Sequence, residues 1–544
     1  MKRIILLTLA VACSLLPSFA DEPDYIEQRA DRLVIYPQRM ELQEGETLMD
    51  LLQIYPELLV AGYDDLLPGY QLRMDNVRMV GNIRLLLTQI KAKDLRYVQI
   101  VDNPGVIKGT LGMAGVIDIS LMPAAKGLHT MAEMQAETDG SLAPTLGLQY
   151  GGEQASLWMN TAYVHQGHET DYRHHEYFDA NYATQVGQRD WLITNLQQDY
   201  AKASAASLYD SRQSYSAKVR YQHFVGDRGA ELMTLLSYQY ACAPQSTALW
   251  RMGTREQVPL YMMEYNTPLW TPQMTLAVGV EGDFCISRYS ATKGEEFDAH
   301  SRYNIFNQDV YFQWNYDLGK VKLTVGDRMM LFYYGMGGYT GDWSRHVLRN
   351  MVQASIIYTP DSRHRLQLGY YRRFIPPALL SIFPETWPLA ADGQWTTGNP
   401  AIEATTVDQV KLAYGYTARR LSLGVTSSYY RVGDEDMCNV DASLYYKHRA
   451  WRLTAGAGGH FEHALTYWHL RLRPSLVLPC AFRVSAEAIY ASDLSPHKRL
   501  SGTNLYAALS LSRRFGSAWD VALSWHDICS RAHSALMASV SLRY

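Results

Sequence analysis

A two-faced alternation of side chains most constrains this chain, and it recurs from residue 128 to residue 544. Runs of roughly ten residues alternate apolar and polar side chains, and short polar segments separate them. The apolar face of the final run consists of Leu536, Ala538, Val540, Leu542 and Tyr544. Because the side chains of a β-strand point alternately to its two faces, each run predicts a strand with one apolar face.

The second face of these strands carries charge. Its basic side chains include Lys218, Arg220, Arg452, Arg471 and Arg473. A soluble β-sandwich or propeller also has alternating strands, but its core would have to bury these charges at a cost of several kcal/mol. A water-filled lumen avoids that cost. The pattern therefore predicts an all-β membrane protein, a transmembrane antiparallel β-barrel.

The connections between the runs are of two kinds. Short polar segments at 317–320 and 361–364 predict turns at one end of the barrel. Long, irregular segments at 166–190 and 376–405 predict loops at the other end. One residue interrupts the apolar phase of its strand, because Asp327 would face lipid unless it lies at a bulge or beyond the membrane edge.

The N-terminal residues 1–20 have the features of a signal peptide. Lys2 and Arg3 precede an apolar run from Ile4 to Leu16, and small residues follow at the positions that a signal peptidase reads. We expect cleavage before residue 21 and export of the chain. No later segment has the roughly 18 unbroken apolar residues of a membrane helix. An excess of 39 Tyr and 12 Trp over 13 Phe is typical of the aromatic girdles of outer-membrane barrels.

Composition excludes several classes of function. Five scattered cysteines after the signal peptide form neither a disulfide framework nor a metal motif: Cys242, Cys285, Cys438, Cys480 and Cys529. A net charge of −4 without a basic cluster argues against nucleic acid as a partner. The sequence also contains no Ser/His/Asp set, paired-carboxylate motif or HExxH motif. We therefore expect neither an enzyme nor a bound cofactor.

A glycine-rich segment lies between residues 101 and 121. A phosphate-binding loop would lead into a helix, whereas these glycines lead into a β-branched run, Val116 to Leu121. The glycines therefore predict tight turns and close backbone packing rather than a nucleotide site.

Residues 32–121 resemble the plug domain of TonB-dependent outer-membrane receptors. A short helix containing Leu51 and Leu52 is followed by a strand pair at 70–79, a helix at 85–90 and strands at 97–101 and 115–119. The residues at the family's motif positions are Asp75, Asn76, Asp102, Asn103, Pro104, Gly105, Gly109, Gly112 and Gly115. Asn76 stands where many relatives have glycine.

Three later segments are similar to barrel strands and loops of the same family: 368–384, 397–416 and 509–528. The resemblance implies a signal peptide at 1–20, a plug at 21–127 and a barrel at 128–544. The family's usual 22 strands would leave about 19 residues for each strand and its connection in the remaining 544 − 127 = 417 residues. We expect 22 strands within a range of 18 to 22.

The resemblance implies capture and uptake of a scarce nutrient, such as a metal, haem or siderophore, at the outer membrane of a Gram-negative bacterium. Implied partners are outer-membrane lipid, a TonB-type energy-coupling complex, the barrel-assembly machinery and a surface lipoprotein. No clear TonB box lies between residues 21 and 31. The next residues, 32–36, are expected to form the first plug strand. A non-transporting barrel acting as anchor, adhesin or assembly partner therefore stays open, as does a soluble periplasmic binding protein.

Two local clusters could bind a ligand. Four histidines, His165, His168, His174 and His175, are candidate metal or haem ligands, and we expect them on an extracellular loop. We favour the alternative, a polar surface loop whose histidines bind nothing specific. Arg372 and Arg373 could steer anions near the mouth, although we favour ordinary lumen or rim residues.

Overall fold

The fold comes from a computed structural model, in which two separate β-structures account for most of the chain. The structure describes residues 25–29, 32–40, 42, 46–52, 70–74, 77–78, 87, 90, 92–102, 115–121, 127–138, 140–152, 154–168, 171–203, 211–226, 229–246, 251–293, 297–338, 341–375, 377, 379–382, 386–388, 395–418, 420–462, 466–479, 482–492, 504–516, 519–529 and 534–543. The predicted signal peptide lies outside these residues. No helix in these ranges has the length and apolarity needed to cross a membrane.

The N-terminal part forms a six-stranded sheet with the order β1-β2-β5-β6-β3-β4. Its strands are β1 (Ile26–Gln28), β2 (Leu33–Ile35), β3 (Tyr70–Met74), β4 (Val77–Arg78), β5 (Leu95–Asp102) and β6 (Gly115–Leu121). The helical elements are α1 (Leu48–Leu52) and the 3-10 turns Pro37–Arg39 and Ala92–Asp94. β3 pairs in parallel with β6, and the other neighbours are antiparallel.

This sheet contains the strands expected at 97–101 and 115–119 and the strand pair expected at 70–79. The segment 32–36 is not the first strand, because Ile26–Gln28 precedes it and forms the sheet edge. That short strand carries Ile between polar residues, so it lacked a run long enough to be recognised. Most of the helix predicted at 85–90 lies outside the described residues.

The second structure is a closed barrel of 22 strands. The strands of its first half are β7 (Gly127–Glu137), β8 (Leu142–Gly151), β9 (Ala155–His168), β10 (Asp171–Gly187), β11 (Asp190–Ala203), β12 (Ser211–Val225), β13 (Ala230–Ser246), β14 (Arg251–Pro268), β15 (Met274–Lys293), β16 (Phe297–Asp317), β17 (Val321–Gly338) and β18 (Gly341–Tyr358).

β19 (His364–Ile375) is followed by a long connection with a short helix, α2 (Leu379–Ile382), and a small hairpin, β20 (Thr386–Pro388) and β21 (Trp395–Thr397). The remaining barrel strands are β22 (Thr405–Thr417), β23 (Leu421–Val432), β24 (Glu435–His448), β25 (Trp451–Glu462), β26 (Thr466–Val477), β27 (Phe482–Ala491), β28 (Leu505–Phe515), β29 (Trp519–His526) and β30 (Ala535–Arg543). β30 pairs antiparallel with β7 and closes the barrel.

The two faces of the strands differ as the alternation predicts. On β25, Trp451 and Phe461 are exposed on the outer face, whereas Arg452 is buried inside. On β12, Tyr215 and Val219 are likewise exposed outside. An all-β membrane barrel with an apolar exterior and a polar interior is therefore confirmed, and so is the expected number of 22 strands.

Exposed aromatic side chains mark the limits of the apolar exterior. Trp451 and Trp519 lie at the end where the connections are short turns, and Trp468 and Trp525 lie toward the opposite end. Trp451 and Phe461 stand ten residues apart on β25. At a strand tilt of about 45° ten residues span about 23 Å, close to the apolar band of about 25 Å in outer-membrane barrels.

The barrel wall is taller on one side. β7 and β8 have 11 and 10 residues, about one bilayer span, whereas β15 and β16 have 20 and 21. The turns expected near 317–320 and 361–364 are present. The irregular loop expected at 166–190 is wrong, because β9 and β10 occupy most of it as paired strand. Strand segments above the lipid carry polar residues on both faces, so their sequence pattern is like that of a loop.

Asp327 lies on the outer face of β17 in an unbroken register, between Phe312 of β16 and Val352 of β18. It therefore faces the lipid side without a bulge. Its Oδ1 atom is buried and accepts no hydrogen bond from the described residues. The neighbouring Arg328 points inward, where its Nε donates to Oδ2 of Asp309 at 2.8 Å.

These two faces predict opposite effects of the same substitution. Asp327→Val should raise the free energy of unfolding by about 1–2 kcal/mol, because it removes an unsatisfied carboxylate. Asp309→Val should lower it by about 3–5 kcal/mol, because Arg328 loses one of its buried partners. Urea unfolding of both variants in lipid vesicles measures the shifts, and a shift of the same sign in both would contradict the assignment of faces.

Candidate functional site

The N-terminal sheet and the barrel wall share one apolar core. Leu48 and Leu51 of α1 and the apolar side chains of β2, β5 and β6 form a buried cluster that includes Tyr177 of β10 and Tyr445 of β24. Trp158 of β9 packs against its edge. Because these aromatic side chains point into the lumen from different parts of the wall, the N-terminal sheet is seated inside the barrel.

A buried carboxylate also holds the N-terminal sheet against the barrel wall by electrostatic attraction. Glu46, immediately before α1, is only 7% exposed and binds Arg452 of β25, while Nζ of Lys447 on β24 lies 3.5 Å from its Oε1. Lys447 and Arg452 are directly opposite each other in the β24–β25 register. Like charges in that position repel. Glu46 contacts both cations and offsets this repulsion.

The backbone around Glu46 holds its side chain in place. The amide of Ala92 donates to the carbonyl of Glu46 at 2.9 Å, and the amide of Leu48 donates to the carbonyl of Ile90 at 2.7 Å. The Glu46 carboxylate is thereby presented to the wall by a folded segment rather than by a loose loop. Releasing the N-terminal domain requires separating this buried pair.

A cavity of about 370 Å³ separates part of the domain from the wall near the short turns. Ile26, Leu33 and Ile35 of the edge strands line one side, and Lys322 and Arg365 of the wall line the other. The described part of the domain therefore does not fill the lumen completely at this place.

The edge strand β1 carries a small ionic cluster. Glu27 accepts hydrogen bonds from Nε of Arg29 at 2.9 Å and from the hydroxyl of Tyr36 at 2.6 Å. Burial alone would raise the pKa of Glu27, but these hydrogen bonds outweigh it and hold that pKa below its usual range. Glu27 is therefore anionic at neutral pH, although it is half exposed and its pairing contributes little to stability.

The opposite wall, formed by β14 to β17, is acidic. Arg328 binds Asp309 and also Glu281, whose Oε2 lies 2.6 Å from its Nη2. The hydroxyl of Tyr311 donates to Glu264 at 2.9 Å. Gly279 leaves room for that ring, because a Cβ there would lie 2.3 Å from Cζ of Tyr311. The lumen thus presents acidic groups on one wall and the Lys447 and Arg452 pair on another.

At the end opposite the short turns, the connection between β19 and β22 folds over the wall. Ile382 of α2 is 1% exposed and packs in an upper apolar cluster with Tyr303, Met330, Phe332, Tyr334, Met336 and Met351. Arg345 of β18 donates to the carbonyls of Pro400 and Ile402, both at 2.9 Å, and Arg349 pairs with Glu403 at 3.2 Å. This connection narrows the lumen at its upper end.

The structure divides three of the candidate histidines, His165, His174 and His175, between the two faces of the sheet. His165 of β9 and His174 of β10 are directly opposite and point outward, with their Nδ1 atoms 3.2 Å apart. His175 points inward and binds Asp199, and His168 ends β9. All four lie on strands, so their expected position on an irregular loop is wrong. The alternation of a strand prevents His174 and His175 from sharing one ion.

The described part of the chain contains no group of three or more His, Cys, Asp and Glu side chains placed to hold a metal ion. The adjacent arginines are also divided between faces. Arg373 points inward and binds Gln409 at 2.9 Å, whereas Arg372 lies on the outer face and binds Asp408 at 2.8 Å. They form no joint anion site.

Of the predicted plug positions, Asp102 ends β5 and pairs with Gly115, the first residue of β6. Gly115 also pairs with Tyr70 of β3, so the backbones of three strands meet at this position. The other positions lie outside the described residues: Asp75, Asn76, Asn103, Pro104, Gly105, Gly109 and Gly112. Glu46 could not be recognised from the sequence, because a single acid before a short helix has no distinguishing pattern.

Glu46→Gln should loosen the N-terminal domain, since it restores repulsion between Lys447 and Arg452 in a buried site. We expect greater ion conductance of the protein in planar bilayers and faster proteolysis of the N-terminal domain. Glu27→Gln serves as the control, because it removes an exposed carboxylate of the same domain and should leave both measurements unchanged. Equal effects of the two substitutions would argue against a specific role of Glu46.

Ile382→Ala should release the upper connection, because truncating a buried Ile typically costs about 2–5 kcal/mol. The expected result is faster cleavage between β19 and β22 by external protease in whole cells. Ile402→Ala is the matched control, since Ile402 belongs to the same connection but is exposed. Unchanged cleavage of the Ile382 variant would show that this side chain does not hold the connection.

Comparison with solved structures shows which proteins share this arrangement. The alcaligin outer-membrane receptor FauA of Bordetella pertussis has a TM-score of 0.68 at 11% identity, covering 95% of each chain. The copper transporter OprC has a TM-score of 0.72 at 11% identity, covering 95% of this chain and 99% of that one. The siderophore receptor PirA of Pseudomonas aeruginosa has a TM-score of 0.68 at 11% identity, covering 95% and 100%.

No protein-family model and no curated protein sequence matches the chain. The structural likeness extends over 95% of the chain, so it includes the N-terminal sheet as well as the barrel. The resemblance noted from the sequence is therefore confirmed for the architecture: this chain has the fold of the TonB-dependent outer-membrane receptors.

Proposed function

We propose that the protein is an integral outer-membrane receptor that captures a scarce nutrient at the cell surface and admits it through the barrel. Residues 21–127 would act as the plug and residues 128–544 as the wall. The observation that carries the proposal is the seating of a folded domain inside a 22-strand lumen. A lumen wide enough for a domain would leak if empty, so its occupant must be held firmly and still be displaceable.

The Glu46 site supports both requirements. The buried pair with Arg452 and the shared apolar core hold the domain in place. The cavity beside Ile35 and Lys322 limits the contact between domain and wall, so rearrangement of the domain need not disrupt a continuous interface. A pull on the N-terminal segment by an inner-membrane energy-coupling complex of the TonB type would supply the work.

The candidate cargo is a metal, haem or siderophore. The names of the similar structures support this class, since FauA is an alcaligin receptor, OprC a copper transporter and PirA a siderophore receptor. Ligand entering from outside would first meet the upper apolar cluster and the connection that contains Ile382. The acidic wall around Asp309 and Arg328 would then lie along its path.

The architecture supports further proposed partners. The apolar exterior between the exposed tryptophans at the two ends of the barrel suits outer-membrane lipid. Insertion of a closed barrel requires the barrel-assembly machinery, and a surface lipoprotein is a further candidate partner at the upper end. We propose transport rather than catalysis, because the polar lumen groups described above are engaged in ion pairs that fix the wall and the plug.

A strain that lacks the protein should grow more slowly than wild type on one limiting nutrient among chelated iron, haem, ferric siderophores and copper. Restoring the gene should restore growth only when the energy-coupling protein is present, because displacement of the plug requires work. Growth and uptake of the radiolabelled nutrient are the measurements. Equal growth on every nutrient, with normal protein in the outer membrane, would favour the non-transporting anchor or adhesin instead.

A further inference from the structure

The outer face of the β9–β10 hairpin brings two imidazoles together. His165 and His174 are directly opposite in the register, and their ring centroids are 4.6 Å apart. Their Nδ1 atoms are separated by 3.2 Å. The hydroxyl of Tyr163 lies 2.7 Å from Nδ1 of His174. Two opposite charges flank the group on the same face, Lys202 directly opposite His174 on β11 and Glu176 two residues along β10.

The height of this pair follows from its neighbours. His165 also pairs with Leu142, the first residue of β8. β7 and β8 have 11 and 10 residues, about the length that crosses a bilayer once, so their upper ends mark the outer membrane boundary. His165 and His174 therefore lie at the extracellular rim, where dissolved ions reach them, and not in the hydrocarbon.

The distance between the two nitrogens suits a shared metal ion. Two imidazole nitrogens bound to one zinc ion at about 2.0–2.1 Å in tetrahedral geometry lie about 3.4 Å apart. The observed 3.2 Å is close to that value and longer than the commonest N–H hydrogen bond. A neutral imidazole is a preferred ligand of zinc, copper and nickel.

We propose that His165 and His174 form a two-imidazole site for a divalent transition-metal ion at the extracellular rim of the barrel. Water occupies the remaining coordination positions. Metal replaces the hydrogen bond between Tyr163 and His174 and joins β9 to β10 near their upper ends. The site lies on the outer face, so it is separate from passage through the lumen and does not depend on the proposed transport.

His175 provides a matched control one residue away. It lies on the inner face with Asp199, so its removal changes the histidine content of the same strand without touching the outer pair. Tyr163→Phe is a second control, because it removes the competing hydroxyl and leaves both imidazoles in place.

Cu²⁺ or Zn²⁺ titration of the purified full-length protein in detergent micelles tests the site. We expect His165→Ala and His174→Ala each to weaken the tightest binding at least tenfold. His175→Ala should bind as wild type does, and Tyr163→Phe at least as tightly. Acidification that protonates imidazole should abolish binding. Unchanged binding in the double variant His165→Ala/His174→Ala, or an equal loss in His175→Ala, would overturn the proposal.

Electron paramagnetic resonance of the Cu²⁺-loaded wild type gives a readout that needs no variant. One equivalent of Cu²⁺ should show coupling to two imidazole nitrogens. A spectrum with one nitrogen or none at the tightest site would overturn the assignment even if the alanine variants failed to fold.

Discussion

The absence of water in the hydrocarbon of a bilayer governs the whole architecture. Backbone amides and carbonyls there must bond to one another, and strands achieve this only when the sheet has no edge. Pairing of β30 with β7 removes the edge. Closure also separates two environments, and the alternation of each strand assigns every side chain to one of them. Trp451 beside Arg452 is the plainest example, since adjacent residues meet lipid and lumen.

Closure with 22 strands also creates a wide lumen that must be filled. The N-terminal domain contributes an apolar core to which Tyr177 and Tyr445 of the wall belong. It also contributes the Glu46 carboxylate, which contacts the two cations of the wall described above. Domain and wall are complementary in both polarity and charge. In the folded protein Lys447 and Arg452 lie opposite each other with the Glu46 carboxylate in contact with both.

Sequence alone predicted the fold well because lipid enforces a strict rule on each residue. The face of Arg220, Arg452 and Arg471 could be assigned from their phase in a strand. The sequence left the position of Asp327 open, and the unbroken register puts it on the face that its phase indicates. The rule fails above the membrane, where both faces of a strand are wet. The strands around His174 and His175 therefore looked like a loop, and their division between faces was missed.

The candidate site was harder to predict, because it depends on pairs distant in the chain. Glu46 and Arg452 are 406 residues apart, and nothing near either residue announces the partner. The upper connection is similar, since Ile382 is one of several apolar residues in the run 378–383, and only the folded barrel shows that it packs against β16, β17 and β18. The charge and apolarity of a residue indicate whether it can take part in such a contact. The closed topology of the barrel determines which of these residues lie next to each other.

The placement of β1 at the edge of the N-terminal sheet has a mechanical consequence. Its first residue, Ile26, pairs with Ile35, the last residue of β2, so the start of the hairpin and its exit lie side by side. Tension on the chain ahead of Ile26 would separate the residue pairs of β1 and β2 one after another, instead of loading all of them at the same time. A small force acting over a long distance can therefore begin to unravel the domain from its N-terminal edge while the surrounding wall stays intact.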